Sequence, residues 1–250
     1  MSAGYDTSCT TLSPEGRIYQ IEYANKAIEN SSTVLGIIFK DGVVLVSEKI
    51  KQSRSIVSGS NPSIYSVAPH IGMAICGLLP DGRNIVNRAK LEASSYLKNY
   101  GIQISGQILA ERLSIYVHAH TCHWGARPFG ACLFISSYDT DKKYHLYMLE
   151  NTGNFFEYFS CANGKGRQIV KSTVEKDNFA IRENNIKDGL KKVLKIIIKS
   201  YEGEKETEYD VGIISAGTNN NHTIVDNNVI SQEVKKLKDE VKNEKMDVEK

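Results

Sequence analysis

The chain has 250 residues, of which 41% are hydrophobic and 24% are charged. This length can bury one good-sized core, so a single domain is the default and two small domains are the alternative. The 31 basic and 29 acidic residues leave a net charge of +2, which gives no global electrostatic reason to expect binding to nucleic acid or to a membrane.

The termini and the cysteines indicate a compartment. No run of 18 apolar residues occurs, and the opening Met-Ser-Ala-Gly-Tyr-Asp contains no apolar targeting core. The five cysteines are odd in number and scattered, and Cys76 and Cys132 lie in apolar runs, which is typical of reduced, buried thiols. We therefore expect a soluble, unexported protein of the cytoplasm and nucleus.

The first predicted element is a helix at residues 17–30, directly after a turn built on Ser13, Pro14 and Gly16. Ser13 offers an N-cap-like hydroxyl, Pro14 presets φ, and Gly16 permits a tight bend. Apolar residues recur along one stripe of the helix. A small domain rarely places such a helix at its extreme N-terminus, so we expect it to pack against a partner.

This region resembles the signature of the alpha-type subunits of the 20S proteasome. The signature runs Tyr-Asp, then Ser-Pro-x-Gly-Arg, then Gln-x-Glu-Tyr-Ala. Here it reads Tyr5-Asp6, then Ser13-Pro-Glu-Gly-Arg17, then Gln20-Ile-Glu-Tyr-Ala24. The similarity extends over residues 4–230, nearly the whole chain.

Two predicted strand pairs follow the helix. Apolar runs at 33–39 and 43–46 flank Lys40-Asp41-Gly42, a strong hairpin signal, and neither run alternates as a strand with one exposed face would. A second pair spans 64–67 and 71–76. We therefore expect these strands to be covered on both faces.

The rest of the chain alternates between helices and strands. The segment Pro80-Asp81-Gly82 introduces two helices, and strands follow at 130–137, 145–149 and 155–159. Two more helices come next, and the second carries an apolar stripe opposite a row of lysines. The stripe comprises Ile186, Leu190, Val193, Leu194, Ile197 and Ile198.

Strands at 209–215 and 222–225 complete the predicted domain, residues 1–231. From Gln232 the chain is mixed Lys, Glu and Asp, and we predict that 232–250 is a charged tail in which a short helix frays into disorder. The order of elements predicts an α+β fold, a four-layer α-β-β-α sandwich. The resemblance implies the same sandwich, of the N-terminal-nucleophile hydrolase type, with an extra N-terminal helix.

An enzyme of that fold needs a free N-terminal Thr, Ser or Cys as nucleophile. The resemblance places the equivalent strand start at Ser32-Thr33, behind about thirty residues. It also places Glu48 near the aspartate of the catalytic relatives, and Ser63 where those relatives have a lysine. We therefore expect no catalytic residue in this chain. Ser2, exposed by removal of Met1, is a poor alternative because an N-terminal tail offers no supporting site.

Two further motifs resemble binding sites, but we interpret both as structural. The segment His118-Ala-His-Thr-Cys-His123 could suggest a metal site, but its two ligand pairs point in different directions on one helix, so we expect no metal. The segment Asn163-Gly-Lys-Gly-Arg167 lacks the spacing of a phosphate-binding loop, so its glycines are expected to permit close packing. We expect no cofactor.

The resemblance also implies a role and partners. Seven alpha subunits form a ring that caps catalytic beta rings, and the N-terminal segments, here 1–12, gate the axial pore until activators open it. Four residues match the cluster that holds the open gate, namely Tyr5, Asp6, Pro14 and Tyr23. The implied partners are neighbouring alpha subunits, beta-ring subunits and regulatory activator particles.

Two departures from the family pattern qualify this expectation. Thr7 stands where many alpha subunits have an arginine. Ser63 replaces the lysine of the pocket that receives activator C-termini, although Gly77 and Leu78 match its other wall. Carboxylate capture should therefore be weak. The rival hypotheses are a hydrolase of the same fold and a stand-alone binding module.

Overall fold

The computed structural model describes residues 4–53, 55–176, 184–201, 203 and 206–248. The first half of the chain contains α1 (Tyr19–Glu29), β1 (Val34–Phe39), β2 (Gly42–Ile50), β3 (Ile64–Ala68), β4 (Ile71–Gly77), α2 (Leu79–Tyr100) and α3 (Gly106–Cys122). The second half contains β5 (Ala131–Tyr138), β6 (Tyr144–Leu149), β7 (Phe155–Glu157), β8 (Ser160–Asn163), α4 (Arg167–Lys176), α5 (Ile186–Ser200), β9 (Thr207–Ser215), β10 (His222–Ile224) and α6 (Asn227–Val248).

The strands form two five-stranded antiparallel sheets. Their orders are β10-β9-β2-β1-β8 and β3-β4-β5-β6-β7. The Asp41-Gly42 hairpin predicted between β1 and β2 is present, with Phe39 opposite Gly42. Both members of each predicted strand pair therefore lie side by side in one sheet.

Three apolar clusters define four layers. Residues such as Leu45, Ala74 and Phe134 fill the space between the sheets. Helices α2 and α3 cover the outer face of the second sheet, and α4, α5 and α6 cover that of the first. This arrangement confirms the predicted α-β-β-α sandwich with an additional N-terminal helix.

Within the predicted strand at 155–159, the chain passes from one sheet to the other. The Tyr158 N–H donates to Leu146 O of the second sheet, whereas Phe159 O accepts from the Ile38 N–H of the first. The chain therefore changes sheets between Tyr158 and Phe159, and β8, which begins at Ser160, pairs with β1. Alternating side chains cannot reveal such a change, because they do not record which strand will lie beside the segment.

The prediction of a short, fraying helix in a tail that starts at Gln232 is wrong over the described residues. Helix α6 begins at Asn227 and runs for 22 residues, and only 249 and 250 of the tail lie outside the described chain. Its buried residues are Ile230, Val234, Leu237 and Val241. They recur at helical spacing and pack in the same cluster as α5, a stripe that the surrounding charges disguised.

One buried histidine lies between the two sheets. His222 Nδ1 is 2.7 Å from Ser66 Oγ, and the backbone N–H of His222 donates to Pro69 O. The ring lies so close to Gly72 and Gly212 that a Cβ at either position would come within 2.5 Å of it. Burial lowers the pKa of His222 to about 4, so the ring is neutral in the folded chain at neutral pH.

We predict that His222 makes the fold sensitive to acid. The unfolded chain binds a proton at His222 near its ordinary pKa of 6.5, and the folded chain only near 4, so stability falls as pH drops through this window. The loss is on the order of 3 kcal/mol. Denaturant unfolding of the full chain at a series of pH values measures it, and His222→Gln should flatten the slope relative to wild type.

The exposed His123 provides the matched control, because His123→Gln should leave the pH slope unchanged. Comparing variants with wild type also removes the contributions of Glu48 and His145, whose raised pKa values favour stability at lower pH. An unchanged slope in His222→Gln would contradict the prediction.

Candidate functional site

The Ser-Pro-Glu-Gly-Arg segment forms a closed turn. The Gly16 N–H donates to Ser13 O at 2.8 Å, the Ser13 N–H donates to Arg17 O at 2.9 Å, and the Arg17 N–H donates to Ser13 Oγ at 3.1 Å. Gly16 has φ of 76°, and the order Ser, Pro, any residue, Gly is that of a type I turn. The N-cap role expected for Ser13 is wrong, because its hydroxyl closes this turn and α1 is capped by Ile18 without a side-chain bond.

Helix α1 is held at one end of the sandwich. Arg167 forms an ion pair with Glu29 at 2.8 Å, which joins the end of α1 to the start of α4. The Asn151 side chain donates to Ile21 O at 3.3 Å, and Ile28 is buried. The outward face of α1 stays accessible, since Tyr23 is 50% exposed.

The segment before the turn is attached at two points. The Gln20 side-chain amide donates to Asp6 O. The Cys9 thiol, buried to 4% exposure, lies 3.3 Å from His123 O and 3.5 Å from Ala126 O. The segment therefore packs against α1 and against the loop after α3, whereas residues 1–3, including Ser2, lie outside the described chain.

The four predicted gate residues lie along this segment and α1. Tyr5 and Asp6 are half-buried, whereas Pro14 and Tyr23 are exposed. Among the described residues, no hydrogen bond, ion pair or ring contact joins Tyr5 or Asp6 to Tyr23, which stacks instead on Tyr19 at 6.3 Å. Their role in a gate stays a prediction.

The position at which a catalytic relative would carry its nucleophile is buried in this chain. Thr33 is 1% exposed, and its nitrogen is in a peptide bond that donates to Glu48 Oε2 at 3.4 Å. The Thr33 hydroxyl accepts the Gly166 N–H at 3.1 Å. A Cβ at Gly164, whose φ is 97°, would lie 2.5 Å from Ser32 O. This close packing confirms the structural interpretation of the two glycines.

Glu48 lies behind Thr33 and is also buried. Burial raises the pKa of its carboxyl, and the hydrogen bonds from Thr33 offset part of that effect. Glu48 Oε1 accepts no hydrogen bond from the described residues. The carboxyl thus supports the start of β1 through the Thr33 N–H, and the charge of Lys238 also acts on it.

A cavity of about 580 Å³ brings together the three predicted pocket residues, Ser63, Gly77 and Leu78. The Ser63 N–H and hydroxyl both donate to Asp210 Oδ2 at 2.8 Å. Lys49 lines the same cavity, with its Nζ 2.8 Å from Asp210 Oδ1. Residue 63 is not a lysine, yet two other lysines, Lys49 and Lys51, line the cavity.

The sequence prediction missed Lys49 and Asp210. Asp210 contacts two cavity residues, Ser63 and Lys49, because β9 pairs with β2, which places it opposite Ser47. Nothing near residue 210 in the sequence indicates this partner, and only the sheet register reveals it.

Across the described ranges, no three or more His, Cys, Asp or Glu side chains group in a way that could hold a metal ion. His118 Nε2 instead lies 3.3 Å from Cys122 Sγ. None of the helices in the described chain is both long and apolar enough to cross a bilayer.

Comparison with known proteins relates most of the chain to one protein family. Residues 28–214 match the proteasome subunit family, and residues 5–27 match the N-terminal signature of proteasome A subunits. The second match contains the turn and most of helix α1, and the first extends from the end of α1 into β9.

Three similar proteins illustrate the relationship. Proteasome subunit alpha type-3 of Oryza sativa subsp. japonica is 43% identical over 93% of each chain. The alpha type-3 subunit of Arabidopsis thaliana is 46% identical over 84% of each chain. A probable proteasome subunit alpha type-7 of Schizosaccharomyces pombe is 40% identical over 93% of this chain and 91% of its own. The sandwich, the N-terminal signature and these relatives agree, and the chain belongs to the proteasome subunit family as an alpha-type member.

Proposed function

We propose that this chain is a non-catalytic subunit of the alpha ring of the 20S core particle, which helps to build the ring and contributes to its N-terminal gate. The observation that carries the proposal is the closed junction at Thr33. Its nitrogen is acylated by Ser32, its hydroxyl accepts from Gly166, and its side chain is buried. A nucleophile of this fold needs a free amine and an accessible hydroxyl, and neither is present here.

The N-terminal part supports the ring and gate roles. Helix α1 is anchored by the Arg167–Glu29 ion pair yet leaves Tyr23 exposed, so it can contact another subunit without losing its own attachment. The bond from Gln20 to Asp6 and the buried Cys9 hold the segment before the turn, and Gly4 and Tyr5 precede these contacts. Neighbouring alpha subunits, beta-ring subunits and activator particles are the proposed partners, in the cytoplasm and nucleus.

The two rival hypotheses make different predictions. A hydrolase of the same fold requires a mature N-terminus at Ser32 or Thr33, so the intact mass of the native chain separates it from the proposal. A stand-alone binding module predicts a monomer in native mass spectrometry of cell-purified material. Either finding would contradict the proposal.

We predict that deletion of residues 2–12 raises the hydrolysis of small peptides by the assembled particle, because the deleted segment obstructs entry to the pore. The rate of peptide hydrolysis by particles that carry the variant measures the effect. Native mass spectrometry should show normal incorporation, since α1 and its anchors are retained. Unchanged latent activity would mean that other subunits close the gate without this one.

We also predict that Thr33→Val leaves peptide hydrolysis by the assembled particle unchanged but destabilises the chain. The substitution leaves the buried Gly166 N–H without its acceptor and removes a donor from Glu48, at a cost of about 1–3 kcal/mol. Urea unfolding of the full chain measures the loss of stability. The exposed Thr223 is the matched control, and Thr223→Val should change both quantities little. A loss of hydrolysis in normally assembled Thr33→Val particles would contradict a non-catalytic role.

A further inference from the structure

The five cysteines of the chain differ in their access to solvent. Cys9, Cys76, Cys132 and Cys161 are buried, whereas Cys122, the last residue of α3, is exposed. Burial also raises the pKa of the Cys161 thiol, which keeps it protonated and unreactive at neutral pH. Cys122 is therefore the thiol of this chain that a dissolved reagent can reach.

A histidine ring lies directly beside this exposed thiol. The distance from His118 Nε2 to Cys122 Sγ is 3.3 Å, which is within hydrogen-bonding range for sulfur. Both side chains are exposed. The two residues are four apart in α3, so the helix itself places them on one face, next to each other.

The other ring nitrogen determines which form of His118 faces the thiol. His118 Nδ1 lies 3.1 Å from Thr152 O and 3.2 Å from Thr121 Oγ1. A carbonyl oxygen can only accept, and the Thr121 hydroxyl already donates its hydrogen to His118 O at 2.7 Å. Nδ1 of the neutral ring therefore carries the proton, and Nε2 presents its lone pair to the S–H of Cys122.

The turn at residues 150–154 holds the ring in this orientation. Ser114 Oγ donates to Gly153 O at 2.5 Å. Gly153 has φ of 93°, and a Cβ there would lie 2.8 Å from His118 Cβ, so the turn packs tightly against α3. The site thus combines a thiol, a base and a carbonyl that orients the base, which are the parts of an activated nucleophile.

The surroundings of the pair indicate the class of reagent that suits it. Ile115, whose side chain is 73% exposed, lies three residues before His118 on the same face of α3. The adjoining turn contributes Glu150, whose carboxylate accepts from the Thr152 hydroxyl at 3.5 Å. An exposed apolar neighbour and a nearby carboxylate favour an uncharged electrophile over an anionic one.

We propose that Cys122 is a modification site for uncharged α,β-unsaturated carbonyl compounds, with His118 as its base. Nε2 takes the thiol proton while the sulfur bonds to the β carbon of the reagent, and the electron pair of the C=C bond moves towards the carbonyl. The resulting enolate takes the proton back from Nε2 at its α carbon. The step is an addition, so no oxidant is consumed, no group leaves, and His118 returns to its neutral form.

This site uses neither the start of β1 nor the cavity around Ser63, so it is independent of the proposed function. The test follows the reaction of the purified full-length chain with N-ethylmaleimide, a neutral α,β-unsaturated carbonyl compound, in limiting amount at neutral pH. A maleimide of similar size that carries a carboxylate is used in parallel. Mass spectrometry of peptides quantifies the adduct at each of the five cysteines over time.

Three variants accompany the wild type. His118→Gln removes the base, and Cys122→Ser removes the thiol. His123→Gln is the matched control, because His123 is an exposed histidine next to Cys122 whose Nδ1 accepts the Gly125 N–H instead. All three positions are exposed, so the variants should fold, and circular dichroism checks that the helices are retained.

In the wild type we expect the neutral reagent to modify Cys122 before any buried cysteine, and faster than the carboxylate reagent does. His118→Gln should slow this reaction about tenfold, a modest effect for a positioned base. His123→Gln should leave the rate unchanged, and Cys122→Ser should abolish the early adduct. Equal rates in wild type and His118→Gln, or a faster reaction of the carboxylate reagent, would overturn the proposal.

Native particles provide a second measurement. The neutral reagent should also modify Cys122 of this chain when the chain is isolated from intact, cell-purified particles after treatment. Complete protection of Cys122 in those particles would overturn the proposal, because the site would then be closed in the assembled protein.

Discussion

The junction at Ser31 to Thr33 is the constraint on which the rest of the structure depends. Here the chain leaves α1 and enters β1, and the turn at Gly164 to Gly166 packs against it. The Lys165 N–H donates to Ser31 O, and the Gly166 N–H donates to the Thr33 hydroxyl. Because β8 leads into this turn and α4 follows it, one small contact region fixes the N-terminal helix to the first sheet and to its outer helical layer.

The same junction connects the proposed assembly role with the proposed absence of catalysis. The fold can place a nucleophile at the start of β1 only if the chain begins there. In this protein that place is occupied by a peptide bond and by a helix that is anchored through Glu29 and Arg167. The helix that carries the proposed partner surface is therefore continuous with the residues that bury the start of β1. Glu48, buried behind Thr33, accepts the Thr33 N–H and so supports this strand start.

Ionisable side chains near the interior are kept without net charge in two different ways. His222 stays neutral between the sheets because burial lowers its pKa, and Asp210 compensates Lys49 while it orders Ser63. His222 belongs to β10 and Asp210 to the neighbouring β9. These two adjacent strands thus supply both the neutral buried histidine and the carboxylate that pairs with Lys49.

Much of the fold could be predicted from the sequence because it depends on local patterns. The Asp41-Gly42 hairpin, the apolar stripe of α5 and the Ser-Pro-Glu-Gly-Arg turn each lie within a few residues, so periodicity and turn chemistry determined them. The family could also be recognised from the sequence, because its N-terminal signature is a run of nearby residues. The tertiary structure alone decided the division between β7 and β8, the docking of α6, the burial of His222 and the pairing of Lys49 with Asp210. Those features depend on sheet register and on contacts between distant segments, and no local periodicity records which distant residue will lie opposite another.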